Sequence, residues 1–279
     1  MNRSYLYAPG SRPDLMAKAL AAGADAVVFD LEDAVHPSAK LDARAAVAAE
    51  VRARVGSAAC EVHVRVGRVS GGFDLDDVRA VAAAGLTAVR LPKCADPDEV
   101  ARVGSLLDEL GPAAVRLYVT IESARGVLNA GALATAHRRV ERLCLGATDL
   151  LADIGARGQP HGAALDTARS LLVLHSRAAG IGPPVDSVHT ALADPDGLRE
   201  SASRARDFGF FGKSVIHPRQ LPVVHEVFTP SPEDRDRAER IVTAFDRAQR
   251  DGVSAVSMDG EFVDPAVVAR ARALLDLPR

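Results

Sequence analysis

The stretch 115–149 reads VRLYVTIESARGVLNAGALATAHRRVERLCLGATD. An apolar run from Val115 to Ile121 stops at Glu122, and a segment rich in Ala and Leu with helical spacing follows over 123–135. A second apolar run, 142–145, then ends in Gly146-Ala147-Thr148-Asp149. Run, helix, run is one strand–helix–strand unit, and strands separated by a helix of that length pair in parallel. The same alternation extends in both directions. Further strands are predicted at 4–8, 26–31, 61–66, 88–91, 184–186 and 212–216, and helices at 14–22, 38–54, 74–84, 96–110, 165–179, 194–208 and 218–227. Eight such units predict a (β/α)8 TIM barrel over residues 1–229.

The seventh strand is interrupted by Pro183 and Pro184, and the loop before it, 155–162, has no legible path. Asp14, Ser38, Asp74, Asp96 and Asp194 stand where helix N-caps are expected, and Gly23, Gly85, Gly111 and Gly180 where helices should end. From 230 to 279 the pattern changes. After the break at 230–233 a charged amphipathic helix is predicted over 234–250. An extended stretch follows over 255–263, with a turn at Asp259-Gly260, and a last helix at 265–275. This C-terminal extension is expected to act as a lid over a barrel mouth, its own or a neighbour's. An open doubly wound sheet is the alternative fold, but no GxGxxG follows the first strand.

The chain has 279 residues, 48% hydrophobic and 25% charged, with 4% aromatics and no Trp, so the core is built mainly of Ala, Val and Leu. The net charge of −3, with no basic stripe carrying aromatics, excludes nucleic acid as an expected partner. Cys60, Cys94 and Cys144 are odd in number and far apart, which argues against a disulfide framework or a zinc site and for a reducing compartment. With no apolar leader at the N-terminus and no long apolar span, a cytoplasmic protein without membrane segments is expected.

Active sites of such barrels lie at the C-terminal ends of the strands. There the sequence places Asp30-Leu31-Glu32-Asp33, Arg65, Pro92-Lys93, Glu122 and Gly146-Ala147-Thr148-Asp149. Glu122 and Asp149 end adjacent strands, and two hard oxygen donors with room for water suit Mg2+. Each also has a plain reading, Glu122 as the cap of the helix at Ser123 and Asp149 as an N-cap. The Asp30–Asp33 run reads equally as helix capping, Arg65 as a structural ion pair, and His217 as a strand-end residue bonded to backbone. Lys93 and Lys213 keep a Schiff-base aldolase open. No HExxH, GxSxG or Walker A motif is present.

Seven segments, in order and at barrel spacing, resemble the citrate lyase β-subunit-like acyl-CoA lyases of the HpcH/HpaI aldolase superfamily. They are Arg3-Ser4-Tyr5-Leu6-Tyr7-Ala8-Pro9-Gly10 with Arg12-Pro13; Asp30-Leu31-Glu32-Asp33-Ala34-Val35; Val64-Arg65-Val66; Leu91-Pro92-Lys93; Ile121-Glu122-Ser123-Ala124-Arg125-Gly126; Leu145-Gly146-Ala147-Thr148-Asp149-Leu150; and Lys213-Ser214-Val215-Ile216-His217-Pro218-Arg219-Gln220. The resemblance implies a Mg2+-dependent lyase that cleaves or forms the carbon–carbon bond of a short 3-hydroxyacyl-CoA of the malyl-, citramalyl- or citryl-CoA type, giving a keto acid and acetyl-CoA.

It further implies Glu122 and Asp149 as metal ligands and Arg65 as a catalytic contact to substrate oxygens. Backbone around Gly146 and Ala147 and at the Glu32–Asp33 turn would hold the keto-acid carboxylate, and Arg12 and Lys18 the coenzyme A phosphates. Asp264 would move the proton at the acetyl carbon. It stands in Asp259-Gly260-Glu261-Phe262-Val263-Asp264-Pro265, where Glu-Phe replaces the family's Lys-Met and Pro comes one residue early. A homotrimer or hexamer is implied as well. Three other activities fit parts of the pattern: malate synthase-like or malyl-CoA thioesterase chemistry in the same site, a pyruvate aldolase independent of coenzyme A, and an acyl-CoA or keto-acid binder without turnover.

Overall fold

The strands of the main sheet form where apolar runs can be buried on both faces. The computed structural model describes residues 1–54, 60–82, 85–111, 114–160, 162–250, 252, 255–258 and 260–277. The strands are β1 (Ser4–Pro9), β2 (Ala26–Asp30), β3 (Glu61–Arg65), β4 (Arg68–Val69), β5 (Gly72–Phe73), β6 (Ala88–Leu91), β7 (Arg116–Ile121), β8 (Val140–Leu145), β9 (Lys213–Val215), β10 (Val256–Met258) and β11 (Glu261–Val263). Seven of them make one parallel sheet in the order β8-β7-β6-β3-β2-β1-β9. All five residues of β2 are buried, as parallel strands covered on both faces require.

Alternation along the strands divides the core. Tyr5, Ala26, Val28, Ala88, Tyr118, Cys144 and Val185 cluster on one face. Their neighbours Leu6, Val27, Phe29, Val89, Leu117 and Leu143, fully or nearly fully buried, point the other way. Helices with buried apolar stripes follow the strands, among them α1 (Pro13–Leu20), α2 (Lys40–Ala53), α3 (Leu75–Val81) and α4 (Pro97–Leu110). The chain is thus an α/β fold on a parallel sheet.

The predicted seventh strand is reduced to single contacts. Val185 bridges Cys144 and Asp186 bridges Lys213, both in parallel. Pro183 and Pro184 have no N–H to give to a ladder, which is why no regular strand forms there. The small antiparallel pair β4–β5 was not foreseen. The helix predicted over 123–135 is two helices, α5 (Ala124–Leu128) and α6 (Ala130–Ala134), meeting at Asn129. Another helix, α7 (Ala147–Asp153), grows directly out of the β8 end; its residues were not among the predicted helices, apart from the reading of Asp149 as an N-cap.

Then come α8 (Asp166–Ala178), α9 (Pro195–Phe208) and α10 (Leu221–Phe228). Asp74, Asp96 and Asp194 cap helices as expected. Asp14 and Ser38 do not. Arg12 precedes α1, whose Pro13 already supplies the start, and Asp14 instead pairs with Arg12 at 2.9 Å. Ser38 N–H is accepted by the side chain of His36.

The described residues make two compact units, Asn2–His225 and Glu226–Arg279, with Met1 belonging to the second. The second unit holds α11 (Pro232–Arg250), the β10–β11 hairpin and α12 (Pro265–Leu275), closed around Ala238, Ile241, Phe245, Val263, Val268 and Ala271. The predicted hairpin and both tail helices are present. Asp259, expected in the turn, lies outside the described residues. Among the described residues no helix is long and apolar enough to cross a membrane.

Backbone constraint at β9 gives a test. Gly212 has φ +93, and a Cβ there would stand 2.4 Å from the Asn2 carbonyl oxygen; Gly23 has φ +82 with nothing within 4 Å. Gly23→Ala is expected to cost about 1 kcal/mol, the left-handed penalty alone. Gly212→Ala adds a clash with backbone and should cost at least about 2 kcal/mol more in urea unfolding. Equal losses would show that the close approach is not a constraint.

Candidate functional site

Polar ends of the strands β1, β3, β7 and β8 meet around a cavity of about 190 Å³. Its wall includes Tyr7, Arg65, Thr120, Glu122, Gly146, Thr148, Asp149, Ser187 and Ser214. Four sequence-predicted residues, Arg65, Glu122, Gly146 and Asp149, are therefore brought together.

Glu122 is 7% exposed. One carboxylate oxygen accepts the N–H of Lys93 at 2.5 Å. Burial pushes its carboxyl up to about 7; the Lys93 N–H opposes the shift, and the nearby charges of Asp149 and Glu32 add to it. The side chain lies against Gly146, where a Cβ would come within 2.5 Å of both the Glu122 Cβ and Oε2. Glycine at 146 is what gives Glu122 its place. Glu122 does not cap the following helix, because Ser123 does, accepting from Gly126 N at 3.1 Å. Nor is Asp149 an N-cap. Gly146 holds that position, and Asp149 stands exposed in the first turn of α7, where a negative charge is favoured by the helix dipole.

Arg65 is fixed from behind. Its Nε and Nη2 donate to the two oxygens of Asp30 at 2.7 and 2.6 Å, and Nη1 pairs with Glu32 at 3.1 Å. Its guanidinium lies 5.3 Å from the centre of the Tyr7 ring. Burial works against the charge, but the Asp30 bonds outweigh it and drive the pKa well above the ordinary arginine value. Three of five N–H donors are used, so capacity remains for an anion in the cavity.

Asp30 also accepts the amides of Glu32 and Ala34 at 2.9 and 3.0 Å, so it supports its own loop; it does not cap the helix that follows. Lys40, which sequence reasoning passed over, donates to the carbonyls of Leu31 and Glu32 at 2.5 and 2.7 Å.

Glu32 and Asp33 are not part of the cavity wall. Glu32 is buried, with its carboxyl raised by desolvation and by its bond with Asp33, and it pairs with Lys93 and Arg65. Asp33 is exposed and bonds Lys93 at 3.0 Å. Burial raises its carboxyl, but the bonds from Glu32 and Lys93 prevail and bring it below the ordinary range. Lys93 has φ 53, the one non-glycine positive φ among the described residues. That conformation costs about 1–2 kcal/mol and aims its N–H at Glu122.

Neither lysine is placed as a Schiff-base nucleophile. For Lys93 partial burial would lower the pKa, but its bonds with Glu32 and Asp33 prevail and hold the amine protonated. Lys213 is buried on Asp186 and Ser201. His217 accepts the amide of Arg219 at 3.1 Å, as its plain reading had it.

The backbone donors expected for a carboxylate already have partners. Gly146 N donates to the Ile121 carbonyl at 2.9 Å, and Ala147 N to Ser187 Oγ at 3.1 Å. Ser187 had no sequence signal, since it follows the interrupted seventh strand. Arg12 and Lys18 are exposed and outside this cavity. Asp264 belongs to the second unit, where one of its oxygens accepts the Ala266 and Val267 amides, both at 2.9 Å, as the N-cap of α12. Cys94 and Cys144 are buried free thiols and Cys60 is free and partly buried. Among the described residues no three His, Cys, Asp or Glu side chains group as a metal cluster, so a cation here would rest on the two carboxylates.

Residues 3–218 match the family model described as HpcH/HpaI aldolase/citrate lyase. The chain is 37% identical over 276 residues to a (3S)-malyl-CoA thioesterase of Cereibacter sphaeroides, covering 98% of this chain and 93% of that protein. It is 33% identical over 283 residues to citrate lyase subunit beta of Leuconostoc mesenteroides subsp. cremoris, covering 99% and 93%. The crystal structure of CitE from Mycobacterium tuberculosis in complex with magnesium, acetoacetate and coenzyme A superposes with a TM-score of 0.76 at 31% identity, over 98% of this chain and 96% of that one.

The raised Glu122 carboxyl carries a stability signature. The folded protein keeps a proton that the unfolded chain releases near 4.5, so the Glu122 contribution is intact below that pH and is lost as pH rises through about 7. In EDTA, Glu122→Gln should therefore raise the melting temperature at pH 8 by at least ~2 °C and leave it nearly unchanged at pH 5. A shift of equal size at both pH values would contradict the burial of an ionised group here.

Proposed function

This chain belongs to the HpcH/HpaI aldolase/citrate lyase family, and we propose that it is a Mg2+-dependent lyase acting on the carbon–carbon bond of a short 3-hydroxyacyl-CoA, of the malyl-, citramalyl- or citryl-CoA type. The observation that carries the proposal is the convergence of Glu122, Asp149 and Arg65 on the lining of one small cavity. The donor set fits the ion: two oxygen ligands, no histidine or thiolate cluster among the described residues, and space for water and substrate oxygens. Glu122 and Asp149 would hold it, and when bound it would supply Lewis-acid polarisation of the oxygen next to the scissile bond.

The protein's own groups account for the rest of the reading. Arg65, immobilised by Asp30 and Glu32, presents a fixed positive charge where negative charge develops on substrate oxygens, a contribution often worth a few kcal/mol per donor. Gly146 and Ala147 bound the place of the keto-acid carboxylate, which would exchange with Ser187 for the Ala147 amide. Glu32 and Asp33 act from behind, through Arg65 and Lys93. The substrate's 3-hydroxyl gives up its proton to solvent as its oxygen becomes the keto-acid carbonyl. The electron pair of the breaking C2–C3 bond passes to the thioester as an enolate, and the acid form of Asp264 would give the proton that completes acetyl-CoA. Arg12 and Lys18 are read as contacts to the coenzyme A phosphates.

We also read the parallel sheet as a closed (β/α)8 barrel over residues 1–229, with residues 230–279 as a lid. The bridges at Val185 and Asp186, between β8 and β9, support closure. A homotrimer or hexamer in the cytoplasm completes the reading.

A second reading, thioester hydrolysis of a malyl-CoA in the same site, is favoured by the similarity to the (3S)-malyl-CoA thioesterase. One assay separates the two, with malyl-, citramalyl- and citryl-CoA each offered with Mg2+ while free thiol and released keto acid are both followed. Keto acid with acetyl-CoA and no thiol identifies the lyase, whereas thiol with intact hydroxy acid identifies the thioesterase. Glu122→Gln and Asp149→Asn should each abolish turnover with the fold retained, as should EDTA. Full activity in either variant, or in EDTA, would refute the metal assignment.

Asp264→Asn gives an independent check. Asn caps helices as well as Asp does, so stability should be unchanged. Turnover should fall by about 10²–10⁴-fold if Asp264 moves the proton. Unchanged turnover would leave Asp264 a helix cap only.

A further inference from the structure

A second cavity, of about 230 Å³, lies beside the first and shares Ser187 and Val188 with it. At about 30 Å³ per water, it has room for a molecule of several heavy atoms. Three charged side chains in its lining are almost completely buried: Arg169 at 2%, Asp186 at 1% and Lys213 at 1% exposure. They come from α8, from the segment after the two prolines and from β9.

Their pairing is incomplete. Asp186 holds Lys213 through Oδ2, and Lys213 also bonds Ser201 Oγ at 2.8 Å. Arg169 places its two terminal nitrogens on the carbonyls of Gly162 and Pro160, at 3.3 and 2.5 Å. Asp166 is 3.5 Å from Arg169 but is held more closely by Arg204, at 2.5 Å, so it is a shared counter-ion. Of the atoms of these three side chains, two have no partner among the described residues, the donor Nε of Arg169 and the acceptor Oδ1 of Asp186. Buried polar atoms in native proteins are seldom left so.

We infer that this cavity is a binding site for a small 2-hydroxy carboxylate. Its carboxylate accepts from Arg169 Nε and adds a negative charge beside the two buried cations, which share Asp186 as their buried counter-ion, while the exposed Asp194 of the lining stands 3.5 Å from His189 Nε2. Its hydroxyl donates to Asp186 Oδ1. A plain carboxylate satisfies only the first need, and a water molecule brings no charge. Because Ser187 lines both cavities and holds the Ala147 amide, the two cavities have a wall residue in common next to Gly146. The site is independent of the reaction proposed above.

The test uses the full chain in EDTA, with glycolate as probe and acetate as the comparison lacking the hydroxyl, titrated by calorimetry or by ¹³C NMR. Glycolate should bind saturably and about tenfold more tightly than acetate. Arg169→Met should weaken it at least tenfold, as expected for losing a charge-assisted hydrogen bond.

Arg169 also supports the 160–162 backbone, so a second variant guards against misfolding. Ala191→Trp, at an exposed position of the lining, leaves the buried charges intact, should keep the wild-type melting temperature, and should also block glycolate. Glu122→Gln should leave binding unchanged. Absence of saturation at tens of millimolar, equal affinity for acetate, binding retained in both Arg169→Met and Ala191→Trp, or loss in Glu122→Gln would each overturn the assignment.

Discussion

The bidentate pair between Asp30 and Arg65 is the tie on which the site depends. The two residues end neighbouring parallel strands, β2 and β3, and are a register pair across them. Through Glu32 and Lys93 the same network reaches β6, and through the Lys93 amide it reaches Glu122 on β7. Four strand ends are thereby linked by charged and charge-assisted bonds in a partly buried setting. Removing one partner of such a network leaves an uncompensated charge, at a cost of about 3–5 kcal/mol for a buried pair. The network sets a single geometry for the cavity wall, and the positive charge of Arg65 offsets part of the repulsion between the carboxylates that face it.

Much of this was legible because it follows periodicity. The alternation of apolar runs with helical stretches located each strand of the main sheet, and the strand-end rule then collected Arg65, Glu122 and Asp149 without any knowledge of contacts. What escaped were features with no periodic signal. Ser187 follows a segment whose prolines blur the strand, so nothing marked it as the acceptor for Ala147. Lys40 sits on the first turn of a helix and looks like any surface lysine, although it holds two loop carbonyls.

Residue type alone also could not say which groups were already occupied. The amides of Gly146 and Ala147, and one oxygen of Asp264, are engaged within the protein itself. Asp14 was misplaced as a cap because Pro13 already starts the helix.

The sheet interior resolves an apparent conflict in a core with few aromatics. Arg90 is completely buried and has no carboxylate partner among the described residues; its guanidinium lies 4.3 and 5.0 Å from the ring centres of Tyr5 and Tyr118 and bonds Tyr7 Oη at 3.3 Å. Aromatic faces stabilise a desolvated cation electrostatically. His63 can pack alongside because burial lowers its pKa to about 4, keeping the ring neutral. Its Nε2 then donates to Glu61 and its Nδ1 accepts from Arg90. The scarce aromatic residues are spent on solvating one charge beneath the cavity.

The contact between Glu122 and Gly146 bears on how such a pocket can diversify. Because any side chain at 146 would evict the carboxylate, that position is closed to variation for as long as Glu122 keeps its role. A lineage changing its preference among related acids would have to do so at other positions of the lining, such as Thr120 or Ser214, where a methyl or hydroxyl can be gained or lost.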